Sequence, residues 1–459
     1  MKRLFFCFSI VVLVSCQKDN GGGDYVPVPE NPERFYAGGK TTTFLATSDA
    51  FATPAENLTQ EEFDKHMDGD LQFEQTFVTA PAPVNSGLGS IFNNSACIAC
   101  HPRDGRAGFP KDLNARGGLL LRTSLAGATS KGAPIAVPGF GTQIQNHAVH
   151  GYEAEASYSV RFEESTETLA DGTKVSLRKP IFALKDTYKE FPAEAMLSAR
   201  LATPVFGLGL LEAIPETDLL ASQDIDDADG DGISGKANLV WDPSLKKEVV
   251  GRFGWKANVG TVLVQSAGAY HDDMGITSYV FPDEHCEGQE NCQDNSTGSP
   301  EVSDEILNTV AFYCRTLAVP APRDIDDPTV LKGEQLFSQI DCAKCHTPKQ
   351  RSGPADVAAL SNQNFYPYTD LLLHDMGESM ADGRPDFLAD GNEWRTRPLW
   401  GIGLTKLING HTEFLHDGRA RNITEAILWH GGEAQVSKEK FKALPKTDRD
   451  ALLAFLNSL

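Results

Sequence analysis

The sequence predicts a mainly α protein. Two small helical domains stand in tandem, each built around one copy of a repeated five-residue motif, with a small β-containing insertion in the N-terminal one. Three observations predict this. The motif occurs as Cys97-Ile98-Ala99-Cys100-His101 and again as Cys342-Ala343-Lys344-Cys345-His346. Nine cysteines and eleven histidines in 459 residues would yield roughly 0.004 such copies by chance. Apolar residues recur at helical spacing before the second motif and at the C-terminus. Finally, about 150 residues between His101 and Arg252 carry no motif, too many for a plain loop, and they contain short β-type runs.

Each motif reads as an attachment site for haem c. Two thiols form thioethers to the porphyrin, and the next residue is the proximal iron ligand. A zinc site or a thioredoxin-like dithiol would explain the cysteine pairs but not a histidine fixed after both. The expectation is therefore two covalently attached haem c groups, one held by Cys97, Cys100 and His101 and the other by Cys342, Cys345 and His346. That makes the chain a redox protein.

The elements follow in order. Met1-Lys2-Arg3 and the apolar run from Leu4 to Val14 read as an export signal over residues 1–15, too short to span a bilayer. Leu13-Val14-Ser15-Cys16 has the form of a bacterial lipobox. Cleavage before Cys16 would lipidate that thiol and anchor the chain to a membrane, with a flexible tether over 16–35; an ordinary secretory signal is the alternative. Both place the protein in the bacterial cell envelope, facing the periplasm or on the outer-membrane surface. Residues 36–322 are assigned to an N-terminal haem c domain. Its insertion covers about 110–250, with strands expected at Ser157–Phe162 and Lys174–Arg178 and a helix over Arg200–Ile214. Leu88-Gly89-Ser90-Ile91-Phe92 supplies a Gly and a Phe before the first motif. Glu305–Cys314 has helical periodicity, and its Cys314 reads as a buried structural thiol. Cys286 and Cys292 share a polar loop and are expected to form a small disulfide in an oxidising compartment. The Pro-rich Pro320-Ala321-Pro322-Arg323 divides the chain. Residues 323–459 then form a C-terminal cytochrome c-like haem domain: a helix over Pro328–Phe337 places a Gly and a Phe before the thiols, and an amphipathic helix over Asp448–Leu459 folds back on it.

The formal charge is −22, and −24 once Lys2 and Arg3 leave with the signal. Such a surface argues against nucleic acid as a partner and suits docking to a basic redox protein. Asp227, Asp229 and Asp231 alternate before Gly232 as in calcium loops. Asn238 stands where an EF-hand would have its bidentate Glu, so the candidates are an EF-like calcium site and a solvated acidic turn.

Further motifs carry a resemblance. They are Arg252-Phe253-Gly254-Trp255-Lys256-Ala257, Gln265, Asp272-Asp273-Met274-Gly275, Asp370-Leu371-Leu372-Leu373-His374-Asp375-Met376-Gly377, Trp394-Arg395-Thr396-Arg397-Pro398-Leu399-Trp400 and Phe414-Leu415-His416-Asp417-Gly418-Arg419. With these the chain resembles the dihaem cytochrome c peroxidase superfamily, most closely its dihaem oxidoreductase branch. The resemblance implies that Trp255 lies between the haems, that Gln265 belongs to the catalytic site, and that Asp273 stands where the family has a Glu over the peroxidatic iron. It implies a distal ligand for the second haem near Glu425–Glu433; His430 is the first choice and Met376 the alternative. His147 and His150 are candidate sixth ligands of the first haem, with an open iron position as the default. The function implied is an exported peroxidase-type oxidoreductase. It takes electrons from a small cytochrome or other donor at the C-terminal haem, passes them to the N-terminal one and reduces peroxide or another small oxidant there. A non-enzymatic electron-transfer lipoprotein, or a redox partner of a surface metal-uptake or protein-modification system, is the rival reading.

Overall fold

A computed structural model describes residues 33–286, 288–292 and 300–459; the export signal, the Cys16 lipobox and most of the tether lie outside them. Helices account for 29% and strands for 20% in several small sheets. The mainly α expectation is therefore corrected to a mixed fold, because the insertion spends its β-branched and aromatic residues on paired strands rather than on helices.

Two helix pairs of like construction stand behind the two motifs. The helix Gln60–Phe73 starts with a capping box between Thr59 and Glu62, which satisfies two otherwise orphaned amides. It crosses the helix Asp304–Thr316 at Gly69, where a Cβ would stand 2.6 Å from the Thr309 carbonyl oxygen. The helix Pro328–Gln339 is capped by Asp327 with Pro at its first position and crosses Lys446–Ser458 at Gly333, where a Cβ would lie 2.0 Å from the Ala451 oxygen. One turn after each glycine a phenylalanine ring meets a motif imidazole. Phe73 lies 6.3 Å from His101 and Phe337 lies 6.3 Å from His346. The Gly–Phe pair that the sequence suggested at Gly89 and Phe92 is thus supplied by Gly69 and Phe73. Ile91–Phe92 is instead a short strand against His147–Ala148.

The insertion contains a three-stranded sheet in which Leu119–Ala128 pairs antiparallel with both Pro134–Ile135 and Met196–Leu201. It also contains a two-stranded ribbon, Ser157–Thr168 on Lys174–Lys185, in register from Ser157↔Lys185 to Thr168↔Lys174. The strands expected at Ser157 and Lys174 are present and run longer than expected. The helix expected over Arg200–Ile214 is only Leu208–Glu212, since Met196–Leu201 is drawn into the sheet. The ribbon tip reaches the C-terminal helices: Leu169 and Leu177 join the core of Phe337, Phe441 and Phe455, and Asp171 pairs with Arg449. A second core runs from Phe51 and Phe73 through Tyr313 to Leu371 and Trp400. Cys286 and Cys292 are bonded, and Cys314 is buried and free. No described helix is long and apolar enough to cross a membrane.

Candidate functional site

Two cavities open beside the two motifs, of ≈ 230 Å³ at His346 and ≈ 510 Å³ at His101. Packing voids rarely exceed a water, which occupies about 30 Å³ of liquid, so these are spaces for a large group.

The donor sets on their rims are alike. His101 Nδ1 lies 2.7 Å from the Thr203 carbonyl oxygen, and His346 Nδ1 lies 3.0 Å from that of Tyr368. A carbonyl can only accept, so each Nδ1 carries the hydrogen and each Nε2 keeps its lone pair for a metal. Burial favours the neutral rings: His101 is shifted down, and His346 falls to about 4. Cys97, Cys100, Cys342 and Cys345 are all free thiols. Among the described residues, neither motif sits in a group of three side chains converging on one metal ion, so the zinc reading finds no ligand set there. Paired thiols and one free imidazole nitrogen beside a large, largely apolar cavity fit a porphyrin.

Trp255 lines both cavities. Its Nε1 donates to the Leu201 carbonyl at 2.8 Å, and its own carbonyl accepts from the Arg395 amide at 3.0 Å. The ring is therefore fixed as a shared wall between the two centres.

The His101 cavity carries the acid. The chain passes from the helix Val262–Gly268 into a π-helical turn, Ala269–Asp273. The wider turn is a frequent device at functional sites, and here Gln265, Asp272 and Asp273 all line the cavity. Asp273 Oδ1 accepts from Gln143 Nε2 at 2.7 Å. Burial pushes the Asp273 carboxyl up to about 6, against the downward pull of Arg122 and the Gln143 hydrogen bond. Asp272 behaves oppositely. It pairs with Arg122 at 2.8 Å and His271 at 2.7 Å, and these partners overcome burial and hold it well below the usual carboxylate range. Two adjacent carboxyls thus take different roles, one ionised and fixed, the other poised to exchange a proton.

Sequence reasoning missed Arg122 and Gln143. Both come from the insertion, and only a charge inside the apolar run Leu119-Leu120-Leu121-Arg122 hinted at the first. His147 and His150 do not line the cavity; His147 is held on its short strand beside Phe92.

The His346 cavity is lined by both predicted distal candidates, His430 and Met376. His430 Nδ1 lies 2.7 Å from the Ala426 carbonyl, repeating the arrangement of the proximal histidines and leaving Nε2 free. His416, stacked on Trp394 at 3.9 Å, is a third lining side chain with a candidate donor atom.

The acidic loop departs from expectation. Asp227 and Asp229 converge with Asp224, whereas Asp231 pairs with Lys344 at 2.7 Å. The alternating triad of Asp227, Asp229 and Asp231 is not formed, because a neighbouring lysine satisfies its third member.

Two cavities far larger than packing voids, sharing a tryptophan wall and each with a neutral imidazole at its rim, define a two-centre redox protein. The chain belongs to the family described as "Di-haem oxidoreductase, putative peroxidase", whose model matches residues 33–459. It is therefore a dihaem oxidoreductase. No curated protein matches it. Among solved structures it is similar to Hydrazine Synthase of Kuenenia stuttgartiensis pressurised with xenon, at 12% identity over 100% of both chains and a TM-score of 0.35. So low a score carries no argument.

Proposed function

We propose that this is an exported, lipid-anchored enzyme of the cell envelope with two covalent haem c groups, bound through Cys97, Cys100 and His101 and through Cys342, Cys345 and His346, and that it reduces peroxide in the His101 cavity. The carrying observation is the asymmetry between the cavities. One offers a buried acid near neutrality, and the other offers spare ligands, His430 and Met376. When bound at the two motifs, the haems would supply iron and electrons, with a small cytochrome or comparable donor feeding the C-terminal centre and that centre the N-terminal one.

The chain's own residues do the rest. Reducing one peroxide to two waters consumes two electrons and two protons. Asp273 takes the proton from the near peroxide oxygen and returns it to the far one, a task suited to a group titrating near working pH. Gln143 fixes Asp273 by Oδ1. Asp272 holds Arg122 on the cavity wall, where the guanidinium stabilises developing negative charge. Trp255 closes the wall between the centres and gives electrons a short aromatic path.

Steady-state peroxide consumption with a reduced cytochrome donor tests this. Turnover well above that of free haem is expected. Two six-coordinate haems that bind neither cyanide nor carbon monoxide, with no turnover, would make the protein an electron carrier instead.

A further inference from the structure

The wall between the cavities contains more positive charge than the protein neutralises. Arg395 and Arg397 line both cavities, and Arg106 lines the one at His346. Among the described residues none of the three pairs with a carboxylate. Arg395 donates to the Arg252 carbonyl and leaves Nε buried without a partner. Arg106 donates to the Leu415 carbonyl at 3.2 Å and likewise leaves Nε unsatisfied. Arg397 sits 5.0 Å over the Trp255 ring. The contrast lies in the same cavity: Arg122, Arg200 and Arg384 each hold an aspartate, Asp272, Asp382 and Asp386 respectively. Glu413, whose charge acts on Arg106, is bonded instead to Arg178 at 3.1 Å. Burying a cation without a counter-ion is costly. Desolvation pulls Arg106 down to about 10 and Arg395 to about 9, and it holds Arg397 well below the usual arginine value. A fold does not ordinarily keep three such groups in one wall unless an anion arrives from outside the chain.

We infer that Arg106, Arg395 and Arg397 form a carboxylate-binding set that receives the propionates of the two haems, with Arg395 and Arg397 serving both and Arg106 serving only the one at His346. A porphyrin of this class carries two carboxylates on one edge, and a guanidinium fork matches a carboxylate in geometry and charge. The set then has a second effect. Positive charge close to a haem favours the reduced state, so these arginines hold the reduction potentials up, jointly at Arg395 and Arg397 and singly at Arg106.

The inference rests on the haem reading above but not on peroxide turnover, so its test uses no oxidant substrate. Full-length holoprotein is compared as wild type, Arg397→Leu, Arg397→Lys and Arg106→Leu. Resonance Raman follows the propionate-bending bands, and spectroelectrochemical titration follows each haem. Arg397→Leu should move the propionate bands and lower both potentials by at least roughly tenfold in the reduction equilibrium, about 59 mV for a one-electron couple. Arg397→Lys keeps the charge and should restore most of the potential. Arg106→Leu should lower only the potential of the haem at His346. Unmoved propionate bands and unchanged potentials in both leucine variants, with both haems present, would overturn the assignment. So would an equal effect of Arg106→Leu on both haems. A protein lacking peroxidase activity but showing these shifts would refute the proposed reaction and leave the arginine set standing.

Discussion

Asp273 is an aspartate where the resemblance expects a glutamate, and its surroundings give it a working pKa. At about 6 it is ionised through neutral pH. A group that must accept a proton from peroxide works only when ionised, so the second-order rate with peroxide should rise as pH climbs through about 6. Asp273→Asn should abolish that limb and lower the rate by roughly 10²–10⁴, measured by stopped flow on protein with full haem content. At the shared wall, Trp255→Phe removes the indole and its bond to Leu201 while keeping an aromatic ring. Haem-to-haem electron exchange should slow while cyanide binding at the haem beside Asp273 stays unchanged. In the second cavity His430 and Met376 compete for one role. If His430 is the ligand, His430→Ala should convert that haem from a bis-histidine low-spin spectrum to a high-spin or His/Met one, with a raised potential in the latter case. An unaltered spectrum, with Met376→Ala producing the change instead, would transfer the role to Met376.

At the scale of the element, the two glycine crossings set how closely each helix pair approaches its motif. Gly333→Ala forces a methyl against the Ala451 backbone, and a backbone cannot rotate away as a side chain can. The overpacking should cost about 1–3 kcal/mol, read as a lower urea midpoint, despite the better helix propensity of alanine. Gly268→Ala is the matched control. Its Cβ would meet nothing within 4 Å, so it should be neutral or stabilising by up to about 1 kcal/mol. The π-helical turn has a different logic. It forgoes regular hydrogen bonding to bring Asp272 and Asp273 together against the cavity, and the fixed ion pair of Asp272 with Arg122 helps to hold it there.

At the scale of the whole molecule, the insertion is structural for both centres. Its sheet supplies Arg122 to one cavity, Gln143 bridged to that strand bonds Asp273 there, and its ribbon tip packs among the helices behind the other. Glu155 marks how deeply the insertion is buried. Its carboxylate accepts from the Gln145 amide at 2.6 Å, and burial raises it from an ordinary 4.5 to about 9. The folded state therefore binds its proton more tightly than the unfolded chain. The stability linked to that proton is fully present below about 4.5 and is lost as pH rises through about 9, at up to about 1.4 kcal/mol per pH unit. Glu155→Gln should flatten the alkaline fall in melting temperature, and an unchanged profile would place the titrating group elsewhere.

Residues adjacent in sequence carried what the sequence determined by itself. The two five-residue motifs required two equivalent centres, since thiol, thiol and imidazole must lie within a turn of one another. The strands at Ser157 and Lys174 were legible from local β-propensity, and the bonded pair Cys286 and Cys292 from its short separation. The candidate site was half legible. Asp273, Gln265 and Trp255 were implied by the family resemblance, but only the folded chain brought them to one cavity and made Trp255 a wall of both. Arg122 and Gln143 lie more than a hundred residues from Asp273, beyond the reach of any local pattern. The same limit explains the misplaced Gly–Phe pair, because Gly69 and Phe73 reach the first motif only by crossing a helix that begins at Asp304. It also explains the acidic loop, where Lys344 takes Asp231 away from its neighbours. Local pattern fixes which groups the chain offers. Which of them meet, and which charges remain for a cofactor to neutralise, is set by long-range packing and desolvation, energies that exist only once distant segments exclude water together.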